Sequence, residues 1–413
     1  MTLCSRMLVG VAFGIAALCS VSDGSAADKV VKLGVLAPLT GGSAADGEEM
    51  VRGLTLAVEE ANANGGVAGY KFEVVQGDTR NQQSDAVASA VERVLGEKDL
   101  HMIFTGYASG SNFEIEAITE AGIPYFLSAN SQQTRDIVTK DPSKYWGVWS
   151  LTPSYDAYET ELVPVVQGLE NAGKIKLPGK KVALISSDNP YSKGIYEGLR
   201  KSFTAAGWTV TDAELLPFGE INDWHAFLAK VRQDAPDVLI NTDYLPANAA
   251  TFVSQFMEQP TKSLVFIQYA PSVPEFLKLT ADKSSGVVYN LLGGVLNTPK
   301  NPRAAEVLDK FKKRWGVESG PYGAALYEQA QIYFAAVAKV GDPTKNKEVG
   351  AAMGQTDMKT AEGHIVFDPA THLAKQGNDF VPIQFYQIWK GERVLFYPQA
   401  YATGEFTTPD WMK

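Results

Sequence analysis

The chain has 413 residues, 45% of them hydrophobic, and a formal charge of −10. That length suffices for two or three domains with ordinary globular cores. The acidic balance argues against broad contact with a nucleic-acid backbone or an anionic membrane surface, both of which reward clustered basic charge.

At the N-terminus, Arg6 precedes an apolar run over 7–18 and then Ser25-Ala26-Ala27. A charged start, an apolar core too short to span a bilayer and small residues for a peptidase make a secretory leader, with cleavage expected after Ala27. Cys4 and Cys19 are the only cysteines, and both fall inside this leader. The exported chain then holds no disulfide, thiolate nucleophile or cysteine metal site. A lipid anchor on Cys19 is the lesser alternative, because Leu18 stands where that signal needs a small residue.

Residues 30–78 organise the rest of the chain. An aliphatic strand over 30–36 is broken by Pro38 and Gly41-Gly42; Met50, Val51, Leu54, Ala57, Val58 and Ala61 then recur at helical spacing. Asn64-Gly65-Gly66 caps that helix, and a second strand covers 72–75. The alternation continues with a helix over 84–95, a strand over 101–105, a helix over 112–121 and a strand over 123–127. It pauses over 144–153 and restarts after a helix over 155–169. Strands are then expected at 182–185, 208–215, 237–240 and 264–267, with helices at 194–206, 224–233 and 248–257 between them. A strand-like stretch at 287–289, helices over 304–315 and 324–340, and a hairpin over 383–395 complete the chain. Such alternation predicts two parallel α/β sheets, and ligands bind such sheets at the carboxyl ends of the strands.

His101, His225, His364 and His372 are scattered, and there is no H-E-x-x-H, G-x-S-x-G, phosphate loop or strand-linked G-x-G-x-x-G. The sequence therefore offers no catalytic, metal or cofactor motif. Binding loops are better supported. Ser109, Gly110 and Ser111 precede one helix, and Ser128, Ala129, Asn130 and Ser131 follow a strand. Small hydroxyls and free backbone N–H groups at such places suit a carboxylate, although each serine alone would read equally as a helix cap.

Gly34-Val35, Pro38-Leu39-Thr40-Gly41 and the Ala61–Gly69 turn, A-N-A-N-G-G-V-A-G, resemble the opening of the leucine/isoleucine/valine-binding family, and the similarity runs in order to Trp389. The resemblance implies an exported, periplasmic solute receptor of a bacterial ABC importer. It implies the type I periplasmic binding protein fold, two Rossmann-like α/β lobes joined by a three-segment hinge. One lobe would comprise 28–151 and 287–375, the other 152–286 and 376–413. The implied partners are a small solute and an inner-membrane ABC permease, with no nucleic acid and no cofactor, and a monomeric state. The alternative role is a ligand sensor that signals to a receptor or regulator.

By the same resemblance, Ser109 with Gly110 and Ala129 with Ser131 hold the ligand's carboxylate and part of its ammonium, while Tyr191 and Tyr244 close over it from the second lobe. Tyr107, Trp149 and Tyr155 are further aromatic candidates. Two departures stand out. Ala270 falls where the family's amino-acid binders place a glutamate against the ammonium, a loss worth roughly 1.5–3 kcal/mol, or about 10- to 150-fold in affinity. Asp46 falls where the family has a ligand-facing tyrosine. Asp46 or Asp243 is expected to replace the glutamate, or the ligand lacks an ammonium; Tyr269 would add a ring to stack upon. The expected ligand is a hydrophobic amino acid or an aromatic carboxylic acid, with an amide or urea-like solute as the alternative.

Overall fold

The computed structural model describes residues 29–129 and 131–413. The leader expected at 1–27, both cysteines and Asn130 lie outside the described residues. Among the described residues no helix is long and apolar enough to cross a membrane.

The first lobe starts with β1 (Lys29–Ala37), α1 (Ala44–Ala63), β2 (Tyr70–Asp78), α2 (Ser84–Leu95), β3 (Leu100–Thr105), α3 (Glu114–Glu120) and β4 (Tyr125–Leu127). α4 (Ser131–Val138) follows where no element was expected, and the expected pause over 144–153 holds β5 (Val148–Ser150). All five strands run parallel in the order β2-β1-β3-β4-β5. β5 contains only three residues, too few for a periodic signal, and α4 is mostly polar.

The helix expected over 155–169 is two helices, α5 (Asp156–Thr160) and α6 (Leu162–Asn171). Pro164 is the cause. It has no N–H to offer Thr160, and its ring would press on that carbonyl; in the first turn of a new helix neither matters. Then come β6 (Lys181–Ser187), α7 (Pro190–Ala205), β7 (Thr209–Leu216), α8 (His225–Asp234), β8 (Val238–Asn241), α9 (Pro246–Phe256), β9 (Leu264–Ile267), α10 (Pro274–Thr280) and β10 (Val288–Leu292). After β10 come α11 (Pro302–Trp315), α12 (Pro321–Val340), α13 (Asn346–Met353), the small hairpin β11 (Asp357–Thr360) and β12 (Gly363–Val366), and the closing hairpin β13 (Ile383–Trp389) and β14 (Glu392–Tyr397).

The second sheet has the order β14-β13-β10-β9-β8-β6-β7. This corrects the division expected at 286. β10 pairs parallel to β9 and antiparallel to β13, so the chain leaves the second lobe only after Leu292, at Gly293-Gly294. Buried apolar side chains kept the strand in that sheet. The next helices return to the first lobe. α12 lies along α1, and Tyr333 meets Phe72 and Phe104 edge-on, with ring centroids 6.3 and 5.8 Å apart. The approach of α12 to α1 depends on Gly53, where a Cβ would stand 2.0 Å from the Gly323 carbonyl oxygen. The chain passes between the sheets three times, after β5, after β10 and before β13. On the third passage, residues 372–374 bond to Ser150 at the edge of β5.

Candidate functional site

The strand-end loops of the two sheets face each other. The β1–α1 loop is held by Asp78, which accepts hydrogen bonds from the Leu39 N–H and the Thr40 hydroxyl, both at 2.8 Å. This puts Asp46 in the first turn of α1, where the helix dipole favours an acid. Tyr107, after β3, donates to Asp46 Oδ2 at 2.7 Å; Tyr269, after β9, donates to Oδ1 at 2.8 Å. One carboxylate thus ties loops of both lobes together. Burial pushes its carboxyl up to about 6, although both phenols favour the ionised form.

The two phenols form part of a cleft with about 280 Å³ of empty space, its opening to solvent included. Tyr191, Tyr244 and Tyr322 add three more rings, and Gln82 and Ala129 complete the lining. Tyr191 and Tyr244 meet edge-on at 5.9 Å, as do Tyr107 and Tyr322 at 5.1 Å. The Tyr244 hydroxyl lies 3.4 Å from both Ser43 Oγ and Gln82 Nε2, across the cleft from its own lobe. Gln268 donates to the Tyr191 hydroxyl at 3.2 Å. Tyr269 has a φ of +60°, a left-handed setting that an aromatic side chain rarely adopts and that costs roughly 1–3 kcal/mol.

The residues expected to bind ligand divide into two groups. Tyr107, Ala129, Tyr191, Tyr244 and Tyr269 line the cleft, and Asp46 stands directly behind it. The others are occupied elsewhere. The Ser109 hydroxyl donates to Glu114 at 2.5 Å and the Ser131 hydroxyl to the Pro153 carbonyl at 2.6 Å. Gly110 is a contact between lobes, since a Cβ there would lie 2.7 Å from Pro190 Cγ. Trp149 donates to the Gly350 carbonyl at 3.0 Å and stacks on His372 at 4.2 Å, away from the cleft. Asp243 caps its own loop, accepting from the Leu245 N–H at 2.9 Å and from Asn248 at 2.8 Å. Ala270 is fully buried in a tight turn. Of the two acids expected to stand in for the missing glutamate, only Asp46 reaches the cleft.

Tyr322 and Gln82 were not expected. Gln82 lies in the loop after β2, at the same edge of the sheet as the loops considered. Tyr322 follows Gly320-Pro321 at the start of α12, where a proline in the first turn marks a helix end that opens on the cleft.

A second buried acid stands one turn further along α1. Gly320 N–H donates to Glu49 Oε1 at 2.8 Å, while Oε2 has no partner. Burial, with Asp46's charge beside it, pushes the Glu49 carboxyl up to about 8.

Two α/β lobes that meet around an aromatic cleft, and are linked by three strands of chain, define a class: proteins that hold a small solute between their lobes. The description of periplasmic binding proteins matches residues 30–389, and the chain belongs to that family. It is 28% identical over 379 residues to Leu/Ile/Val-binding protein homolog 8 of Brucella abortus, covering 88% of this chain and 89% of that one. A solved candidate branched-chain amino acid ABC transporter from Silicibacter pomeroyi is 30% identical, with a TM-score of 0.81 over 93% of this chain and 100% of that one. A solute-binding protein from R. palustris in complex with benzoate shares the fold at 18% identity, with a TM-score of 0.72 over 92% of this chain and 99% of that one. The chain is thus a substrate-binding protein of the branched-chain amino acid ABC transporter family, a periplasmic family whose members deliver small molecules to a permease.

Proposed function

We propose that this protein captures a hydrophobic α-amino acid in the tyrosine cleft and delivers it, as a monomer and without chemical change, to an inner-membrane permease. The observation that carries this reading is the Tyr107–Asp46–Tyr269 triad. Each phenol donates its hydrogen bond to Asp46, so its oxygen is left as a polarised acceptor facing the cleft. Two such oxygens backed by a carboxylate suit an ammonium and replace the glutamate missing at Ala270. Tyr191, Tyr244 and Tyr322 offer ring surface to an apolar side chain. The solute's carboxylate is left to Gln82, the Tyr244 hydroxyl and the backbone of the loops after β3 and β4. Closure brings the second lobe's Tyr244 and Tyr269 against first-lobe partners. The solute is bound only when both lobes contribute, so it shifts the population to the closed form.

The second reading is an aromatic carboxylic acid, favoured by the number of rings in the wall and by the benzoate bound to the R. palustris protein of the same fold. Calorimetry on protein unfolded and refolded to strip carried-over solute separates the two. Leucine or phenylalanine should bind and benzoate should not. Binding of benzoate alone would sink the ammonium assignment, and recovery of an altered solute would sink the transport role.

A further inference from the structure

A second cavity, with about 310 Å³ of empty space including its opening to solvent, lies where two of the three crossing segments meet the β11–β12 turn. Thr152 contributes from the first passage, Gly293 and Gly294 from the second, and Glu362 from the β11–β12 turn. Tyr269 and Tyr322 separate it from the cleft, since each lines both. A Cβ built on Gly293 would stand 2.8 Å from Thr152 Oγ1 and 3.2 Å from Glu362 Oε2, so the three groups crowd one wall.

Glu362 is fully buried, and neither carboxyl oxygen has a hydrogen-bond partner. Each of the other buried acids among the described residues keeps at least one hydrogen bond. Glu328, nearby, is paired with Arg303 at 2.8 and 3.2 Å and accepts from the Ala361 N–H at 2.9 Å. That pairing also uses up Arg303. No described residue lining the cavity is basic. A carboxyl with four unused lone-pair sites, in an enclosure walled by tyrosines, lacks a cation. Tyrosine rings attract organic cations through their faces.

We propose that this cavity is a second binding site, taking the ammonium of a small organic cation on Glu362 beside the rings of Tyr155, Tyr158 and Tyr322. The site is distinct from the cleft, and the proposal holds whichever solute the cleft takes. When the site is empty, the acid avoids a naked buried charge by staying protonated. Burial pushes its carboxyl up to about 8; the Gly294 N–H, too poorly placed for a hydrogen bond, restrains that rise, and the charge of Glu328 adds to it. An arriving ammonium supplies the counter-charge, so Glu362 gives its proton to solvent. Occupancy would also join segments from two of the three passages between the lobes to the β11–β12 turn.

The test uses benzylammonium and its neutral isostere benzyl alcohol, each titrated at neutral pH into refolded protein carrying Asp46→Asn, which removes the cleft's own ammonium acceptor, with and without the Glu362 substitutions. The cation should bind at least about tenfold more tightly, the worth of one charge-assisted hydrogen bond. Glu362→Gln and Glu362→Leu should both erase that preference; neither breaks a hydrogen bond of the folded chain, and circular dichroism reports whether each is folded. Infrared difference spectra should show a protonated-carboxyl band lost on binding in the unaltered protein and unchanged in Glu362→Gln. Equal affinity for the two probes, or a preference that survives in a folded Glu362 variant, would overturn the proposal. Failure of leucine and phenylalanine to bind the unaltered protein would instead count against the cleft assignment and leave the amine comparison intact.

Discussion

Under the proposal, Asp46 takes the part that the resemblance gave to a glutamate at the position of Ala270. It sits in the first turn of α1, and the two phenols that meet it come from opposite lobes. Asp46→Asn removes the charge while keeping the shape, so leucine or phenylalanine affinity should fall at least about tenfold by calorimetry. Its pH dependence stems from burial. The carboxyl titrates at about 6, so the accepting, ionised form dominates above that value and is lost below it. Amino-acid affinity should be flat from pH 7 to 8, fall between pH 6 and 5, and lose that fall in Asp46→Asn. An unchanged affinity at pH 5 would mean that Asp46 does not face the ammonium. The serines teach the opposite lesson. Ser109 and Ser131 have the composition of a carboxylate cradle, yet their hydroxyls hold Glu114 and the Pro153 carbonyl. Residue type at a strand end indicates the right loop, but which way a hydroxyl turns depends on acceptors distant in sequence.

At the scale of elements, two tightly packed glycines serve different ends. Gly53 lets α1 lie against the Gly323 carbonyl inside the first lobe. Gly53→Val should cost about 1–3 kcal/mol or more in urea unfolding, as overpacking of a close helix contact does. Gly110 instead meets Pro190 of the other lobe. Gly110→Val should leave the unfolding midpoint within about 0.5 kcal/mol of the parent, as for a residue outside any core, yet weaken solute binding by blocking closure. A stability loss at Gly110, or none at Gly53, would reverse these assignments.

Elements were legible where hydrophobic pattern was long. β1, α1, α2, β3, β9, α12 and the closing hairpin fall within a few residues of expectation. What escaped has local causes. α4 is polar, β5 is three residues, and β11 and β12 are a two-stranded hairpin with little apolar face. The cleft was legible as a ring of strand-end loops, which yielded Tyr107, Ala129, Tyr191, Tyr244 and Tyr269. Trp149 and Asp243 have equally suggestive addresses, but their side chains point to α13 and to α9. Tyr322 stands just before the helix expected over 324–340, and only the packing of α12 on α1 brings that first turn to the cleft.

At the scale of the whole molecule, the lobes meet through small polar contacts. Asp46–Tyr269 and Ser43–Tyr244 both cross the cleft, and Gly110 against Pro190 closes its side. Contacts of this kind yield to modest free energies, so the closed arrangement depends on what fills the cleft. Under the proposal, the three passages of chain are the hinge about which the lobes move as units. The central claim is that solute and closure are one event. Small-angle X-ray scattering of the refolded protein, with and without saturating phenylalanine, tests it most directly. The radius of gyration should be smaller with phenylalanine, at the same half-saturation as calorimetry. An unchanged radius at a concentration where calorimetry shows full binding would contradict it.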